Sequence, residues 1–480
     1  MKNYQSYLEK SGEIGYTQSA TRSLAIVDGL PGIKPKELVV FETGELGQAL
    51  VLKKELVEVL LFSPKPVRVG TAATRTGEKL TLPVGEALLG QVINPLCQPI
   101  NGSSSFKMPS ASYPTDQAPW GIEKRVKIKR PLETGLAVVD LLLPLGQGQR
   151  ELAIGDRKTG KTSFAEQVVL GLKGKNTVCI YTLIAKRAAE AKRLAEIFQK
   201  ASVHNQTVII AAPAEAGSGL VYLAPFSAIT IAEYFRDQGQ DTLVIFDDLT
   251  THAKFYREIA LLAKRFPGRD SYPADIFFTH ARIMERGGNF KTPKGEASIT
   301  LLPLAETTSG DLTGYIQTNL MSMTDGHLFF DRDLFVTGQR PAINPFLSVT
   351  RVGRQTQTPL KREISRELLA FLSLHEKMQS LVHFGAELTE EVRSILAQGE
   401  RVKLLFQQDE ESFVPANLSF YLLALLWKNP WPEKTIAEVE EELAKLVKLY
   451  REDEDFRQKV NHLMEKEETL AKLLEKINHG

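Results

Sequence analysis

The chain has 480 residues, 43% of them hydrophobic and 24% charged, with a formal net charge of +1. This is the balance of a core-forming chain of about two to four domains, and its near-neutrality gives no reason to expect a nucleic-acid partner. No apolar run approaches the roughly 20 residues that a membrane-spanning helix needs, so any membrane role comes through partners.

Residues 1–11 carry an acid and no apolar stretch, which argues against a targeting peptide. They form either a short helical arm or a disordered one. From Ser23 to Val69, short aliphatic runs alternate with turns: Leu24–Val27, Leu38–Phe41, Gln48–Leu52 and Val57–Phe62. Strands at this spacing predict a small antiparallel barrel, with a hairpin sheet packed on the next domain as the alternative. Residues 80–150 are rich in Pro and Gly, with a serine run at Ser103–Ser105, and read as an ordered connector with a short helix near Val84–Leu89. The two cysteines, Cys97 and Cys179, lack metal-ligand spacing and read as small buried apolar residues in a reducing compartment.

From Arg150 to Val352 strand and helix patterns alternate. The strand candidates are Leu152–Ile154, Val178–Leu183, Val208–Ala211, Leu243–Phe246 and Ile276–Thr279. The alternation predicts a parallel sheet covered by helices. Between the first strand and the helix-like run Ser163–Leu172 stands Gly155-Asp156-Arg157-Lys158-Thr159-Gly160-Lys161-Thr162, a phosphate loop of the form G-x-x-x-x-G-K-T. Its glycines let backbone N–H groups point inward, and the following helix presents its positive end. Lys161 reaches the outer phosphates, and the Thr162 hydroxyl takes one place on magnesium. Leu243–Phe246 ends in Asp247-Asp248; Asp247 is the candidate for magnesium or its water, and Asp248 for capping the next segment. Arg351, on a loop after the core, is either an arginine finger for a neighbouring subunit or a structural charge.

After Pro359 the pattern is helical. Lys361–Phe384 has helical spacing without Pro or Gly, and Ile436, Val439, Leu443, Leu446 and Tyr450 mark one buried stripe. The fold class expected is therefore multidomain: an N-terminal arm and β-barrel (1–79), a central α/β P-loop, RecA-like nucleotide domain (80–355) and a C-terminal α-helical domain (356–480).

These stretches resemble the alpha-subunit branch of the F-type rotary ATP synthases over residues 20–480, most densely from 130 to 355. The likeness runs through Pro131–Gly135, Asp140, Gly148–Leu152, the phosphate loop, Asp247-Asp248-Leu249, Tyr256-Arg257, Pro267-Gly268-Arg269, Tyr272-Pro273, His280 and Glu285-Arg286. It continues through Asp311, Tyr315, Thr318-Asn319, Thr324-Asp325-Gly326, Arg340–Asn344 and Ser348–Gly353. The resemblance implies alpha-like and beta chains alternating in a three-plus-three ring around a central gamma-type shaft. It implies ATP or ADP with magnesium bound but not turned over, on Gly155–Thr162, with Thr162 and Asp247 at the metal. Arg351 matches the arginine lent to the beta catalytic site, and Ser348 a nearby site residue. Either Gln407 or Gln408 serves the adenine side, with Gln407 the candidate taken here. The implied location is a peripheral complex on the cytoplasmic face of a bacterial plasma membrane, without nucleic acid.

The chain also departs from that family. Catalytic beta chains carry a Glu just after the strand that follows the phosphate-loop helix, and alpha chains a Gln after a Gly. Here the positions are Ala185 and Lys186. A cation does not accept the attacking water's proton, but it holds a γ-phosphate. Pro345-Phe346 replace Val-Gly, Arg354 replaces a small residue and Lys158 replaces Gln. The short N-terminal arm leaves attachment of a delta-type stator subunit open. These changes fit either lineage drift or an alpha-like subunit of a motor diverted to other work. A self-sufficient hexameric ATPase or RNA helicase would need a catalytic carboxylate that this stretch does not offer.

Overall fold

The computed structural model describes residues 4–100, 106–383, 389–409 and 413–477; the serine run 103–105 lies outside them. The chain forms two compact units, neither of them continuous in sequence. One is made of residues up to 126 with 173–306 and 311–324; the other is made of 127–172, 307–310 and 325 onward.

In the first unit the helix Tyr4–Ser11 precedes six strands, β1 (Gly15–Ala20), β2 (Leu24–Asp28), β3 (Glu37–Phe41), β4 (Leu46–Leu52), β5 (Leu56–Leu61) and β6 (Ala72–Lys79). They close in the order β1-β2-β5-β4-β3-β6, so a barrel forms rather than a hairpin sheet. Val27, Val39, Phe41, Val57, Val59 and Ala73 are among the side chains that fill it. β1 and β6 pair through Gly15 with Ala73 and Tyr16 with Ala72, which leaves no open edge. These two closing strands are short of apolar residues, so the sequence pattern does not mark them.

The same unit holds five parallel strands in the spatial order Val92–Ile93, Thr207–Ala212, Thr177–Ile184, Asp241–Asp247 and Gly295–Glu306. All eight residues of Thr177–Ile184 are buried, as expected of a strand covered on both faces. The expected strand Ile276–Thr279 is instead the start of a helix, Ile276–Met284. The run Ile-Phe-Phe imitates a strand, but Ile276, Thr279, His280 and Ile283 are buried while Phe278 is 64% exposed, which is helical periodicity. The remaining strand, Gly295–Glu306, comes later in the chain and is twelve residues long. The predicted helix near Val84–Leu89 is a single 3-10 turn, Glu86–Leu88. Both cysteines are buried, and burial pushes the Cys97 thiol up to about 12.

The second unit contains the strands Glu151–Gly155 and Gly326–Phe330 in parallel, with Ile343–Thr350 antiparallel to the latter. Its C-terminal part is helical: Pro359–His383, Glu390–Lys403, Ala416–Lys428, Ile436–Glu452, Glu454–Lys466 and Leu470–Lys476. Phe384, the end expected for the first of these, lies outside the described residues. Thr435 and Glu438 form a reciprocal capping box at the start of Ile436–Glu452. Val439, Leu443 and Tyr450 make its buried stripe, whereas Ile436 is exposed. Among the described residues no helix is long and apolar enough to cross a membrane.

The barrel is seated on the helix Ser218–Asp237 inside the first unit. The Ser218 N–H donates to Ser23 Oγ at 3.2 Å, and a Cβ placed on Gly219 would run into the Leu61 carbonyl oxygen. Gly219→Ala is therefore expected to cost about 1–3 kcal/mol, read as a lowered urea midpoint; an unchanged midpoint would contradict this close seating.

Candidate functional site

The phosphate loop lies in the second unit, between the strand Glu151–Gly155 and the helix Lys161–Leu170. Its two glycines have different tasks. A Cβ on Gly155 would collide with the Phe330 carbonyl oxygen, so this glycine permits the close approach of two strands. Gly160 adopts φ +94° and caps the helix, and a Cβ there would meet nothing within 4 Å. The residue stands at the N-terminus of a ten-residue helix, whose positive end suits an anion. Lys158 is also left-handed, at φ +62°. The Lys161 ammonium is folded into the loop and donates to the carbonyl oxygens of Gly155, at 2.8 Å, and Asp156.

Asp156 fixes the loop from the other side. Its Oδ1 accepts from Thr307 Oγ1 at 2.6 Å and from the Gly310 N–H at 2.9 Å, and the Thr307 N–H donates to the Gly155 carbonyl at 3.0 Å. Thr159 Oγ1 returns to the Asp156 carbonyl at 2.8 Å. Burial works to raise the Asp156 carboxyl. The bonds from Thr307 and Gly310, followed by the charges of Arg332 and Lys161, outweigh it and hold the group below its ordinary value. Thr307 and Gly310 are loop residues that the sequence motif did not mark.

Arg351 follows the strand Ile343–Thr350 and is exposed. Its N–H donates to the Asp325 carbonyl at 3.1 Å. The Asp325 carboxylate takes a two-pronged contact from Arg150, at 2.6 and 3.1 Å, and also the Arg150 N–H at 3.0 Å. Ser348 is nearly buried, and its hydroxyl is used locally: Oγ accepts the Phe329 N–H at 2.9 Å and donates to the Asn344 carbonyl at 2.6 Å. It bridges a bulge in which residues 345–348 are passed over between the Asn344–Phe329 and Val349–His327 pairs, so Pro345 and Phe346 lie in that bulge. Of the two glutamines, Gln408 is committed to the Gly135 carbonyl at 2.9 Å and the Ala137 N–H at 2.6 Å. Gln407 is exposed, with its amide across the Gly338 carbonyl and the Arg340 N–H.

Asp247 belongs to the first unit, at the end of the strand Asp241–Asp247, and is 1% exposed. Lys186 meets it, Nζ to Oδ1 at 2.8 Å, and Tyr181 Oη lies 3.4 Å from Oδ2. Burial pulls the Lys186 ammonium down, but the charge and hydrogen bond of Asp247, with Asp248 and Glu306 behind them, hold it above its ordinary value. Ala185, where the alpha family has Gly, adopts a left-handed φ of +54° and donates to the Ala212 carbonyl at 2.8 Å. Asp248 caps the helix Leu249–Leu262 by accepting from the Thr251 N–H at 2.6 Å and its hydroxyl at 3.0 Å. Burial, then Glu306, push its carboxyl up to about 6.

The cradle at Gly155–Thr162 fits a polyphosphate. Thr162, half-buried in the first helical turn, is placed as the family's magnesium hydroxyl would be in sequence. Among the described residues no group of three or more His, Cys, Asp or Glu could hold a metal ion. A divalent ion here would thus depend on phosphate oxygens for much of its shell, as magnesium commonly does.

Asp156→Ala leaves the Thr307 hydroxyl and Gly310 N–H without this acceptor and is expected to cost about 1–3 kcal/mol. The carboxylate's contribution is present above about pH 4 and fades as the pH falls through its lowered value. Urea titrations of both forms at pH 7 and in acid test this; equal midpoints at pH 7 would contradict it.

Residues 135–350 match the nucleotide-binding domain of the ATP synthase alpha/beta family, and residues 357–479 match the C-terminal domain of the ATP synthase alpha/beta chain. Among curated proteins, the ATP synthase subunit alpha of Staphylococcus aureus strain JH9 is 36% identical over 447 residues, covering 92% of this chain and 89% of the relative. The subunit alpha sequences of strains Mu50 and MW2 match to the same extent. The loop that the fold builds, and the two-part match that surrounds it, place this chain in the ATP synthase alpha/beta family, among its alpha subunits.

Proposed function

We propose that the chain is the regulatory, nucleotide-binding but non-catalytic alpha subunit of a proton-translocating ATP synthase. It alternates with beta chains in a ring around a gamma-type shaft and is peripheral to the membrane, on the cytoplasmic face. It binds ATP or ADP with magnesium on Gly155–Thr162, with Gln407 on the adenine side. Thr162 and Asp247 remain the magnesium candidates that the sequence names. In the beta catalytic site it supplies Arg351, with Ser348 holding the bulge behind it.

The observation that carries the non-catalytic reading is Lys186 on Asp247. Hydrolysis needs a group that takes up or orients the attacking water. At the position where a catalytic chain has a carboxylate, this one has an ammonium already engaged as a donor. Arg351 supports the second half of the reading: its backbone is tied to Asp325 while its side chain is exposed. A guanidinium so placed is available to a neighbour's phosphates.

The purified chain is expected to turn over ATP negligibly, with or without RNA. Within the assembled complex, Arg351→Ala is expected to lower turnover by at least about a thousandfold while the ring still assembles. Brisk turnover by the lone chain, or an Arg351→Ala complex at full rate, would overturn the proposal.

A further inference from the structure

In the second unit the strands Glu151–Gly155 and Gly326–Phe330 run parallel, with Gly155 directly opposite Phe330. Chains that leave two such partners emerge together at the carboxyl ends of the strands, the edge at which α/β sheets bind ligands. From Gly155 the chain enters the phosphate loop. From Phe330 it passes through Asp331 into the short helix Arg332–Val336. A Cβ on Gly155 would collide with the Phe330 carbonyl oxygen, so the two exits lie close together. Arg332, two residues past Phe330, therefore starts its helix beside the loop.

The acids around Arg332 are occupied. Asp331 Oδ1 accepts from the Asp333 N–H at 2.8 Å, and its Oδ2 accepts from Asn344 Nδ2 at 2.9 Å. Asp156 Oδ1 accepts from Thr307 and Gly310. Arg332 itself is exposed, and among the described residues no hydrogen bond or ion pair takes up its side chain. Its charge is nevertheless felt in the loop. Against burial, the bonds from Thr307 and Gly310, then the charges of Arg332 and Lys161, keep the Asp156 carboxyl low.

We propose that Arg332 is a further phosphate-binding residue, whose guanidinium contacts the phosphate chain of a nucleotide seated on Gly155–Thr162. The inference rests on the reading of that loop as a nucleotide site, and it adds a residue from outside the motif. A guanidinium presents a planar fork of donors that matches two phosphate oxygens at once. An exposed arginine with no other hydrogen bond gives up little when it turns to such a ligand. Its place on the strand next to the loop's own strand puts it in the same unit as the loop, so the contact needs no second body.

The test measures binding of ATP, with excess magnesium, to the full chain by titration calorimetry. Arg332→Ala should weaken binding about tenfold, corresponding to about 1.4 kcal/mol, and Arg332→Lys should restore part of the loss. Equal affinities in the wild type and Arg332→Ala would overturn the inference. A second pair of variants separates contact with the ligand from support of Asp156. In Asp156→Asn the amide oxygen can still accept from Thr307 and Gly310, and adding Arg332→Ala should again cost about tenfold. If that cost disappears, Arg332 acts only through the Asp156 carboxylate and the inference falls. Absence of ATP binding by the wild type would refute the nucleotide-site reading itself, and this inference with it. That failure is distinguishable, because the wild-type titration would then be blank.

Discussion

A phosphate loop has to be held open before its anion arrives, and here that constraint falls on Asp156. Its carboxylate joins the loop to residues 307–310, while Gly155 allows the strand Gly326–Phe330 to close against the loop's first residue. With both ends fixed, Gly160 turns left-handed into the helix with open space on its Cβ side. The loop's shape is thus set by donors outside it, Thr307 and Gly310, on acceptors of the loop itself.

The charges elsewhere follow a consistent division. At the end of the Asp241–Asp247 strand a lysine is paired with a buried carboxylate. After the Ile343–Thr350 strand an arginine is held by its backbone and released at its side chain. On the proposed reading, the first arrangement disfavours chemistry in this chain, and the second favours chemistry in an adjoining one. Neither demands a different fold from a catalytic relative, so the two roles separate at single positions within one architecture.

Much of this was legible in the sequence because the signals were local. The phosphate loop needs only eight consecutive residues flanked by strand and helix. The parallel strands are continuous apolar runs, and the capping role of Asp248 follows from its place between strand and helix. What was not legible depended on partners distant in the chain. β1 and β6 are polar strands whose existence is decided by closure of the barrel. Ile276–Thr279 misled because an Ile-Phe-Phe run has the same local hydrophobicity in a strand as in a helix that exposes one aromatic. Thr307 and Gly310 carry no motif, yet they determine the state of Asp156. Gln408 is engaged by the backbone of Gly135 and Ala137, and Gln407 by that of Gly338 and Arg340, partners far away in the chain.

The neighbourhood of Arg351 shows how burial keeps such a residue available. Glu151 adjoins Arg150 in the chain and lies close enough to feel the Arg351 charge. An ionised Glu151 would attract the guanidinium inward. Burial holds the Glu151 carboxyl well above its ordinary value, although the bond from Gln149, at 2.6 Å, opposes the shift; the nearby Asp325 charge pushes in the same direction as burial. Burial thus disfavours the charged form of Glu151, and Asp325 is already matched by Arg150. The Gly148–Leu152 segment therefore does more than lead into the phosphate loop: Arg150 pairs with Asp325, the residue whose carbonyl holds the Arg351 N–H. On the proposed reading, the exposed guanidinium serves a ligand outside this chain.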